Sequence, residues 1–235
     1  MGEMCADIPK CMLPVGGRPF LHWILSWLAR HSVPARVAVR QHGEVIQGEL
    51  AAPLWSGRDF DVVWDRGGEG TGTALIGAAE QLRSERLLLL NGDTLFTCDL
   101  PGLLGFHRGH GGGATQVLTR GSQQNQGAIL LSDHSRRVLA TDEGRAPVPY
   151  DDPPGTSRWS STGWYLLDRD LVLDPEFGTC ASLELDLVPA LIERGVLYGH
   201  TVPRPMYDFG TPARYKQVMD DRNLLLRTYG RPLRP

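Results

Sequence analysis

The sequence has few cysteines and no long apolar run. Its four cysteines lie far apart and form no C-x-x-C pair, so neither a disulfide framework nor a zinc knuckle is expected. No apolar run exceeds four residues, whereas a membrane-spanning helix needs roughly 20. The first residues also lack the basic and apolar regions of a secretory signal. We therefore expect a cytoplasmic protein that has no membrane partner.

An excess of basic charge is absent as well. The 24 Lys and Arg residues are outnumbered by 27 Asp and Glu residues, and the net charge is −3. Nucleic-acid-binding proteins usually carry a clustered basic excess, so no nucleic-acid partner is expected. A length of 235 residues fits a single domain. Whether the chain forms a homo-oligomer is left open by the sequence.

Helix-like and strand-like stretches alternate in the first half of the chain. They are, in order, helix 19–31, strand 37–39, helix 44–52, strand 60–63, helix 71–82 and strand 86–90. The last of these is a continuous apolar run, which is typical of a strand buried on both faces of a parallel sheet. This alternation predicts βαβ units, and therefore an α/β fold with a Rossmann-like mixed, mainly parallel sheet flanked by helices.

Shorter strand-like stretches dominate after residue 113. They lie at 115–118, 127–131, 138–140 and 161–167, and helical spacing returns at 183–192 and 213–226. We therefore predict a parallel α/β half, a half with mixed strands, and closing helices.

The first candidate site is Asn91-Gly-Asp93, where the apolar strand ends abruptly. In open α/β sheets, ligands bind just outside the carboxyl ends of the strands, and Asp93 would project there. Magnesium prefers one or two carboxylates together with phosphate oxygens, so Asp93 suits a magnesium ligand in a phosphate-transfer site. The alternative is that Asn-Gly-Asp forms only a turn.

A glycine-rich loop runs from Gly67 to Ala74, between a predicted strand and a predicted helix. Glycines let the backbone approach a ligand closely, and a helix N-terminus offers N–H groups to an acceptor. The loop is not a Walker A motif and fits G-x-G-x-x-G only loosely. Alone it is weak evidence for a phosphate site.

A second acid, Asp208, precedes a predicted helix in Tyr207-Asp-Phe-Gly-Thr-Pro212. It would be a second magnesium ligand if the fold brings it near Asp93. Thr211 as a helix cap and Pro212 at the first helical position explain Gly-Thr-Pro without any function. They leave Asp208 unexplained.

Taken in order, six motifs resemble those of the sugar-1-phosphate nucleotidyltransferases. They are Lys10-Cys-Met-Leu-Pro14, Gly17-Arg-Pro19, Gly70-Thr-Gly72, Asn91-Gly-Asp93, Ser182-Leu-Glu-Leu-Asp186 and Asp208-Phe-Gly-Thr-Pro212. The resemblance covers essentially residues 6–220. Within that family, the fifth motif followed by Gly195-Val-Leu-Tyr-Gly199 is most similar to the D-glycero-α-D-manno-heptose 1-phosphate guanylyltransferases. It implies the nucleotide-diphospho-sugar transferase fold over residues 1–235, with a nucleotide-binding half at about 1–113 and a sugar-binding half with closing helices at about 114–235.

The resemblance also implies a role for individual residues. Those on the nucleotide side are Lys10 for a phosphate, Gly70 and Thr71 for the base, Gly92 for the nucleotide, and Asp93 and Asp208 for a shared Mg²⁺. Those on the sugar side are Gly127, Glu143, Ser161, Glu184 and Asp186. Structural explanations stay open for several of them: solvated charges for Lys10 and Glu143, a strand glycine for Gly127, and first-turn acids for Glu184 and Asp186.

Asp65 is the candidate reader of the base. It lies five residues before Gly70, at a position that in this family's fold can face the Watson–Crick edge of the base. An ionised carboxylate only accepts hydrogen bonds, so it matches the paired N1–H and N2–H donors of guanine. We therefore expect GTP as the nucleotide. The alternative is a solvated loop acid at the end of the strand.

The sequence departs from the family pattern in four places. The family begins with an apolar strand and a loop of the form Leu-x-Gly-Gly-x-Gly-Thr-Arg-Leu, whereas the nine residues before Lys10 contain one glycine and no arginine. Cys11 replaces a proline, Ser161 stands where a sugar-binding Asn is usual, and Gly144 stands where a Lys commonly follows the Glu. These departures lead us to expect weak turnover.

The resemblance implies attack of a sugar 1-phosphate oxygen on the α-phosphorus of GTP, with a heptose 1-phosphate as the expected acceptor. The products would be GDP-heptose and pyrophosphate, with Mg²⁺ as the cofactor. A second hypothesis is a non-catalytic relative that binds a sugar nucleotide or an active partner as a regulatory or assembly subunit.

Overall fold

The computed structural model of the chain describes Cys5 and residues 8–65, 70–120, 128–142, 148, 151–221 and 223–233. Its strands are Pro14–Val15 (β1), Arg18–Pro19 (β2), Ala35–Val39 (β3), Phe60–Trp64 (β4), Arg86–Leu89 (β5), Thr94–Leu95 (β6), Ala114–Thr119 (β7), Ala128–Ser132 (β8), Val138–Thr141 (β9), Thr156–Asp168 (β10), Leu197–Val202 (β11) and Tyr207–Asp208 (β12). Its α-helices are Phe20–Arg30 (α1), Gly43–Leu50 (α2), Thr71–Gln81 (α3), Leu100–Gly109 (α4), Arg169–Val172 (α5), Val188–Glu193 (α6), Pro212–Asp220 (α7) and Leu224–Tyr229 (α8). A π-helical turn, Leu183–Leu187, leads into α6.

These elements group into two compact units. The first unit is Met1–Arg66, Gly92–Thr97 and Tyr207–Pro235, and the second is Gly67–Asn91 and Cys98–Met206. The units interleave along the chain, whereas the predicted halves meet near residue 113. That the chain forms a single domain stays a prediction. Among the described residues, no helix has the length and apolar character needed to cross a membrane.

In the first unit, α1 is buried all round rather than along one stripe. Every residue from 20 to 29 is buried, and the helix packs against α8. Its two polar members have partners: the His22 ring is 2.7 Å from Glu49 Oε1, and Ser26 Oγ accepts the N–H of Leu233. Because buried polar groups need hydrogen bonds, these two contacts make His22 and Ser26 compatible with the buried helix.

The alternation predicted for the first half is confirmed in β3, α2 and β4. The two strands pair in parallel, from Ala35 opposite Phe60 to Val39 opposite Trp64. They are joined through α2, as a parallel connection requires.

The small antiparallel sheet of β6 and β12 places Asp208 opposite Thr94. Tyr229 in α8 anchors this sheet: its hydroxyl donates to the Thr94 carbonyl at 3.1 Å and accepts the N–H of Phe96 at 3.3 Å. Burial raises the pKa of Tyr229, so the hydroxyl keeps the proton that it donates. The strand pair that carries Asp208 is therefore tied to the core of its own unit.

The predicted helix 213–226 is two helices. Asp221 interrupts it, because its backbone leaves helical geometry with ψ of 82°. The Asp221 carboxylate then accepts the N–H groups of Asn223 and Leu224, which satisfies donors at the start of α8. Short polar side chains compete with helical hydrogen bonding in this way.

In the second unit, the long strand β10 organises a six-stranded sheet of order β11-β7-β10-β8-β9, in which β5 also pairs with β10. One edge of β10 pairs with β8 at Thr156–Ser160 and with β5 at Tyr165–Asp168. The other edge pairs with β7, with an irregularity between Ser161 and Trp164.

The prediction of a mainly parallel sheet was wrong about the direction of the strands, although the α/β class is confirmed. Only β7–β11 and β3–β4 are parallel among the described pairs, and all three partners of β10 run antiparallel to it. The apolar run that suggested a parallel strand is β5, which pairs antiparallel with β10. An apolar run indicates a strand that is buried on both faces, but it does not indicate whether the neighbouring strand is parallel or antiparallel.

A buried polar chain links α4 to the sheet of the second unit. His107 Nε2 lies 3.1 Å from Asp168 Oδ1, and its Nδ1 lies 2.8 Å from Thr115 Oγ1. His110 Nε2 also lies 2.8 Å from Thr115 Oγ1, and the buried His110 Nδ1 has no partner among the described residues. A neutral His110 that donates through Nε2 fits this arrangement, because its bare Nδ1 then needs no acceptor.

We expect this chain of hydrogen bonds to make the second unit sensitive to acid. Burial, and then the neighbouring His107, lower the pKa of His110. A lowered histidine pKa contributes stability that is complete above the unfolded value of about 6.5 and is lost as the pH falls below it. The free energy of unfolding should therefore decrease from pH 7 to pH 5.

Denaturant titration at several pH values checks this expectation. His110→Gln keeps an N–H donor for Thr115 and should make the dependence between pH 7 and pH 5 shallower; the remainder is expected from His200 in the same unit, whose pKa burial also lowers. His134→Gln, at an exposed turn, is the control and should keep the wild-type slope. An unchanged slope in His110→Gln would mean that His110 does not cause the acid sensitivity.

Candidate functional site

Two acids meet in the first unit, and we call Asp93 and Asp208 the carboxylate pair. Asp93 directly precedes β6, and its backbone carbonyl accepts the N–H of Phe209 at 3.1 Å. Asp208 ends β12, the strand paired with β6. The two residues, distant in sequence, therefore lie on adjoining backbone segments; that their carboxylates share an ion stays a prediction. Asp93 does not end strand β5 as expected, because β5 stops at Leu89.

Each member of the carboxylate pair has a cationic partner. Lys10 Nζ is 3.5 Å from Asp93 Oδ2. Arg214 Nη1 is 2.7 Å from Asp208 Oδ1 and 2.9 Å from Oδ2. The N–H of Gly210 also donates to Asp208 Oδ1 at 2.7 Å. The site thus combines two acids and two bases within one unit.

The local sequence explains how Arg214 reaches Asp208. Thr211 caps α7, since its hydroxyl oxygen accepts the Arg214 N–H at 3.3 Å, and Pro212 takes the first helical position. The predicted capping is confirmed. Arg214 therefore stands in the first turn of α7, where its side chain turns back toward the strand that precedes the helix. Sequence reasoning missed this residue, although a base in the first turn after an unexplained acid was a usable signal.

The chemistry of the carboxylate pair fits a magnesium ion. Both side chains are partly exposed, 29% for Asp93 and 28% for Asp208, and carboxylate oxygens are preferred magnesium ligands. Three hydrogen bonds occupy Asp208, and a carboxylate has about four acceptor positions, so one remains for a metal. The described residues contain no group of three or more His, Cys, Asp or Glu side chains that could hold a metal ion. Magnesium binding stays a prediction.

Asp65 occupies the end of β4 in the first unit. Its carboxylate Oδ2 accepts from Arg40 Nη2 at 2.7 Å and Nε at 3.1 Å, and its side chain is only 8% exposed. The alternative of a solvated loop acid is therefore wrong, because the carboxylate is covered and ion-paired. Its role as the base reader stays a prediction.

Gly92 also belongs to the first unit. A Cβ added there would meet only the Cβ of Cys11, at 3.6 Å, which is an ordinary contact. The surrounding fold therefore leaves space for a side chain at Gly92. Its proposed place beside a nucleotide stays a prediction.

In the second unit, Gly70 and Gly72 are glycines because another segment crosses them. A Cβ at Gly70 would lie 2.2 Å from the Ala181 carbonyl oxygen, and one at Gly72 would lie 2.6 Å from that of Cys180. The Ala181 carbonyl accepts the N–H groups of Gly72 and Thr73 at 2.8 and 3.3 Å. These two donors at the start of α3 are therefore satisfied within the protein, contrary to the expectation that this helix end offers them to a ligand.

The Thr71 hydroxyl joins α3 to the π-helical turn. It donates to Glu184 Oε2 at 2.9 Å and accepts the N–H of Leu183 at 2.9 Å. Asp186 Oδ2 accepts the N–H groups of Ala181 and Ser182 at 3.0 and 2.8 Å. Thr71, Glu184 and Asp186 thus form one cluster, in which Asp186 has a structural function. Among the described residues, no hydrogen bond is made to Glu184 Oε1, so this oxygen is available for other contacts.

Ser161 lies at the irregular point of β10. Its Oγ accepts from Gln116 Nε2 at 3.0 Å and from the Gly163 N–H at 3.1 Å. With both lone pairs used, the Ser161 hydroxyl hydrogen is the group it has to offer a ligand. Gln116 is 1% exposed and was missed by sequence reasoning, although an amide inside the apolar strand β7 is an unusual signal.

Two predicted sugar-side residues, Gly127 and Glu143, lie outside the described residues. The described members of the predicted set therefore lie in four places: the carboxylate pair with Lys10 and Gly92, Asp65 beside Arg40, Gly70 and Thr71 with Glu184 and Asp186, and Ser161 with Gln116.

Comparisons with known proteins identify relatives of this chain. Mannose-1-phosphate guanylyltransferase of Mycobacterium tuberculosis is 29% identical over 207 residues, which cover 87% of this chain and 56% of that protein. The chain thus spans a little over half the length of that relative. D-glycero-alpha-D-manno-heptose 1-phosphate guanylyltransferase of Aneurinibacillus thermoaerophilus is 20% identical over 219 residues, covering 93% of this chain and 91% of that protein.

The structural comparison confirms the fold class. The crystal structure of HddC from Yersinia pseudotuberculosis has a TM-score of 0.71 at 22% identity, covering 91% of this chain and 90% of that one. HddC complexed with GMP-PN gives a TM-score of 0.70 at 21% identity, with the same coverage. The family model described as MobA-like NTP transferase domain matches residues 1–156, about two thirds of the sequence. The chain therefore belongs to the MobA-like NTP transferase domain family.

Proposed function

We propose that this chain transfers a nucleotidyl group from a nucleoside triphosphate to a sugar 1-phosphate and releases pyrophosphate. The observation that carries the proposal is the carboxylate pair, held on adjoining backbone segments with Lys10 beside Asp93. Guanylyltransferases among the relatives support the reaction class. Guanylyl transfer is the activity named for those two relatives, and we propose nucleotidyl transfer for this chain.

The reaction requires little covalent chemistry from the protein. An anionic oxygen of the sugar 1-phosphate attacks the α-phosphorus and pyrophosphate leaves, so neither a side-chain nucleophile nor a general base is needed. Positioning and charge neutralisation carry such transfers. Asp93 and Asp208 would hold Mg²⁺, which when bound supplies positive charge to the phosphates. Lys10 then neutralises a phosphate oxygen, and the N–H of Gly210 keeps Asp208 oriented.

The direct test measures pyrophosphate release. GTP, UTP and dTTP are each paired with heptose 1-phosphate, mannose 1-phosphate and glucose 1-phosphate. Release that requires both substrates and a divalent cation would support the proposal. Nucleotide binding without release in any pair would instead favour the second hypothesis, a non-catalytic sugar-nucleotide-binding subunit.

We further propose GTP and a heptose 1-phosphate as the preferred pair. Two relatives are guanylyltransferases, and the heptose 1-phosphate enzyme aligns over nearly its whole length. A uridylyltransferase also aligns, at 25% identity, so the base requires its own test. On the sugar side, the proposal uses the Ser161 hydroxyl and Glu184 Oε1 as hydrogen-bonding groups, with Gly127 and Glu143 as further members.

Replacing Asp65 tests the base preference. In Asp65→Gln, a neutral amide faces guanine, and calorimetric titration should show GTP affinity falling by about tenfold or more, since a good bidentate contact contributes roughly 1–3 kcal/mol. UTP and dTTP should bind nearly as before. Asp59→Asn is the matched control, because Asp59 stands just before β4 and pairs with Arg36 at 2.6 Å. Equal loss for all three nucleotides would assign Asp65 a structural role.

A further inference from the structure

Within the ion pairs of the described residues, the charges of the carboxylate pair and of its two basic partners cancel. Two carboxylates, Asp93 and Asp208, face one ammonium group and one guanidinium group. A free divalent cation therefore meets a locally neutral site, in which each acid already has a counter-ion. A nucleoside triphosphate carries about four negative charges, so its complex with a divalent cation arrives with about two, and both bases then have a new anion to bind.

Arg214 is the tighter of the two counter-ions. Its Nη1 contacts both oxygens of Asp208, at 2.7 and 2.9 Å, whereas Lys10 stands at 3.5 Å from Asp93. The Arg214 side chain is 19% exposed, so its contact with Asp208 is more shielded from water than a surface ion pair. A cation that binds Asp208 therefore shares this carboxylate with a guanidinium already in contact with both of its oxygens.

The backbone at Arg214 is fixed, so an exchange of partners would be made by its side chain. The N–H of Arg214 bonds to Thr211 in the first turn of α7, and Asp208 is independently held by the N–H of Gly210. Movement of the guanidinium would therefore leave Asp208 in place. A guanidinium matches phosphate oxygens as well as carboxylate oxygens.

Resting on the proposed function of this site, we propose that Arg214 is an exchangeable counter-ion that makes metal binding depend on the nucleotide. In the nucleotide-free chain it competes with a divalent cation for Asp208. When the cation arrives with a nucleoside triphosphate, the guanidinium moves from the carboxylate to a phosphate oxygen. Charge alone then couples the two ligands, with no rearrangement of β12 or α7.

Manganese titration followed by electron paramagnetic resonance tests this coupling, with and without a non-hydrolysable GTP analogue. R214Q removes the competing charge, and Mn²⁺ alone should bind roughly tenfold more tightly than to the wild type. The same variant should gain less Mn²⁺ affinity from the nucleotide than the wild type does. D208N should lose the Mn²⁺ site in both conditions.

Two further variants test whether the effect on Mn²⁺ affinity comes from the charge of Arg214, from its shape, or from any positive charge on the same helix. K216Q removes one positive charge from the same helix, where Lys216 pairs with Asp220, and should bind Mn²⁺ like the wild type. R214K keeps the charge and should also bind Mn²⁺ alone like the wild type. If R214Q does not fold, R214K is compared with D208N instead. Because R214K still carries the positive charge, tenfold tighter Mn²⁺ binding by R214K would contradict competition by charge.

Weaker Mn²⁺ binding by R214Q would overturn the inference, since Arg214 would then be a positioning residue for Asp208. Unchanged Mn²⁺ binding would overturn it too. Failure of the proposed function gives a different result: no pyrophosphate release by the wild type, and no effect of the nucleotide on Mn²⁺ affinity in any variant.

Discussion

Replacing Asp208 with Asn is expected to lower the rate of pyrophosphate release by about a thousandfold. The amide keeps the shape of the side chain and an acceptor for the Gly210 N–H, which donates to Oδ1 at 2.7 Å. It removes the negative charge that a divalent cation requires. A catalytic metal supplies several kcal/mol of transition-state stabilisation, and about 4 kcal/mol corresponds to a factor of a thousand.

Asp93→Asn should cause a loss of similar size, because both members of the carboxylate pair are proposed to hold one ion. Asp220→Asn is the matched control: this acid lies in α7, is largely exposed and pairs with Lys216 at 2.7 Å. Steady-state pyrophosphate release at saturating substrates is the measurement. Rates within tenfold of the wild type for both Asp93→Asn and Asp208→Asn would remove the carboxylate pair from the reaction.

Gly70→Ala is expected to destabilise the second unit by about 3 kcal/mol, the upper end of the cost of overpacking. The new Cβ would lie 2.2 Å from the Ala181 carbonyl oxygen and 2.9 Å from its carbon. Both atoms belong to the backbone, and that carbonyl already accepts two N–H groups of α3. The segment cannot give way by a side-chain rotation, so it must move as a whole. Gly70 itself is extended, with φ of 164°, and contributes no backbone strain.

Gly77→Ala provides the control, since Gly77 lies within α3 and a Cβ there meets nothing within 4 Å. Alanine is favoured over glycine inside a helix by about 1 kcal/mol, so this variant should be as stable as the wild type or more so. Guanidinium denaturation followed by tryptophan fluorescence compares the three proteins. Wild-type stability in Gly70→Ala would mean that residues 180–182 do not pack on the start of α3 as described.

The order of elements was largely predictable, and α4 shows where prediction failed. Helix α4 contains Pro101 and glycines at 102, 105 and 109, residues that weaken a helical pattern. It forms because Asp99 caps it, accepting the N–H of Gly102 at 3.2 Å, and because Leu100 and Leu103 are buried. Tertiary burial outweighs propensity here.

The sequence indicated which residues belong to the candidate site, but most of their contacts were not predicted. The motifs indicated Lys10, Asp93 and Asp208, and the family match agrees with the class of protein that they suggest. The contact of Arg214 with both oxygens of Asp208 is local, six positions apart, but the base in the first turn of α7 was not used as a signal. Nothing local indicated that Gln116 holds the Ser161 hydroxyl from a buried strand 45 positions away, because that contact depends on the approach of elements that are separate in sequence.

By itself, the sequence determined the α/β class, the succession of most helices and strands, and the resemblance to the nucleotidyltransferases, because periodicity and short motifs are local properties of a chain. Only the tertiary structure decided the antiparallel direction of the strands around β10. It also decided which charges neutralise one another, as when Lys10 meets Asp93 across 83 positions, and that Gly70 must be glycine because Ala181 crosses it. Electrostatic and packing energies depend on distances in space, and these are set by which elements pack together.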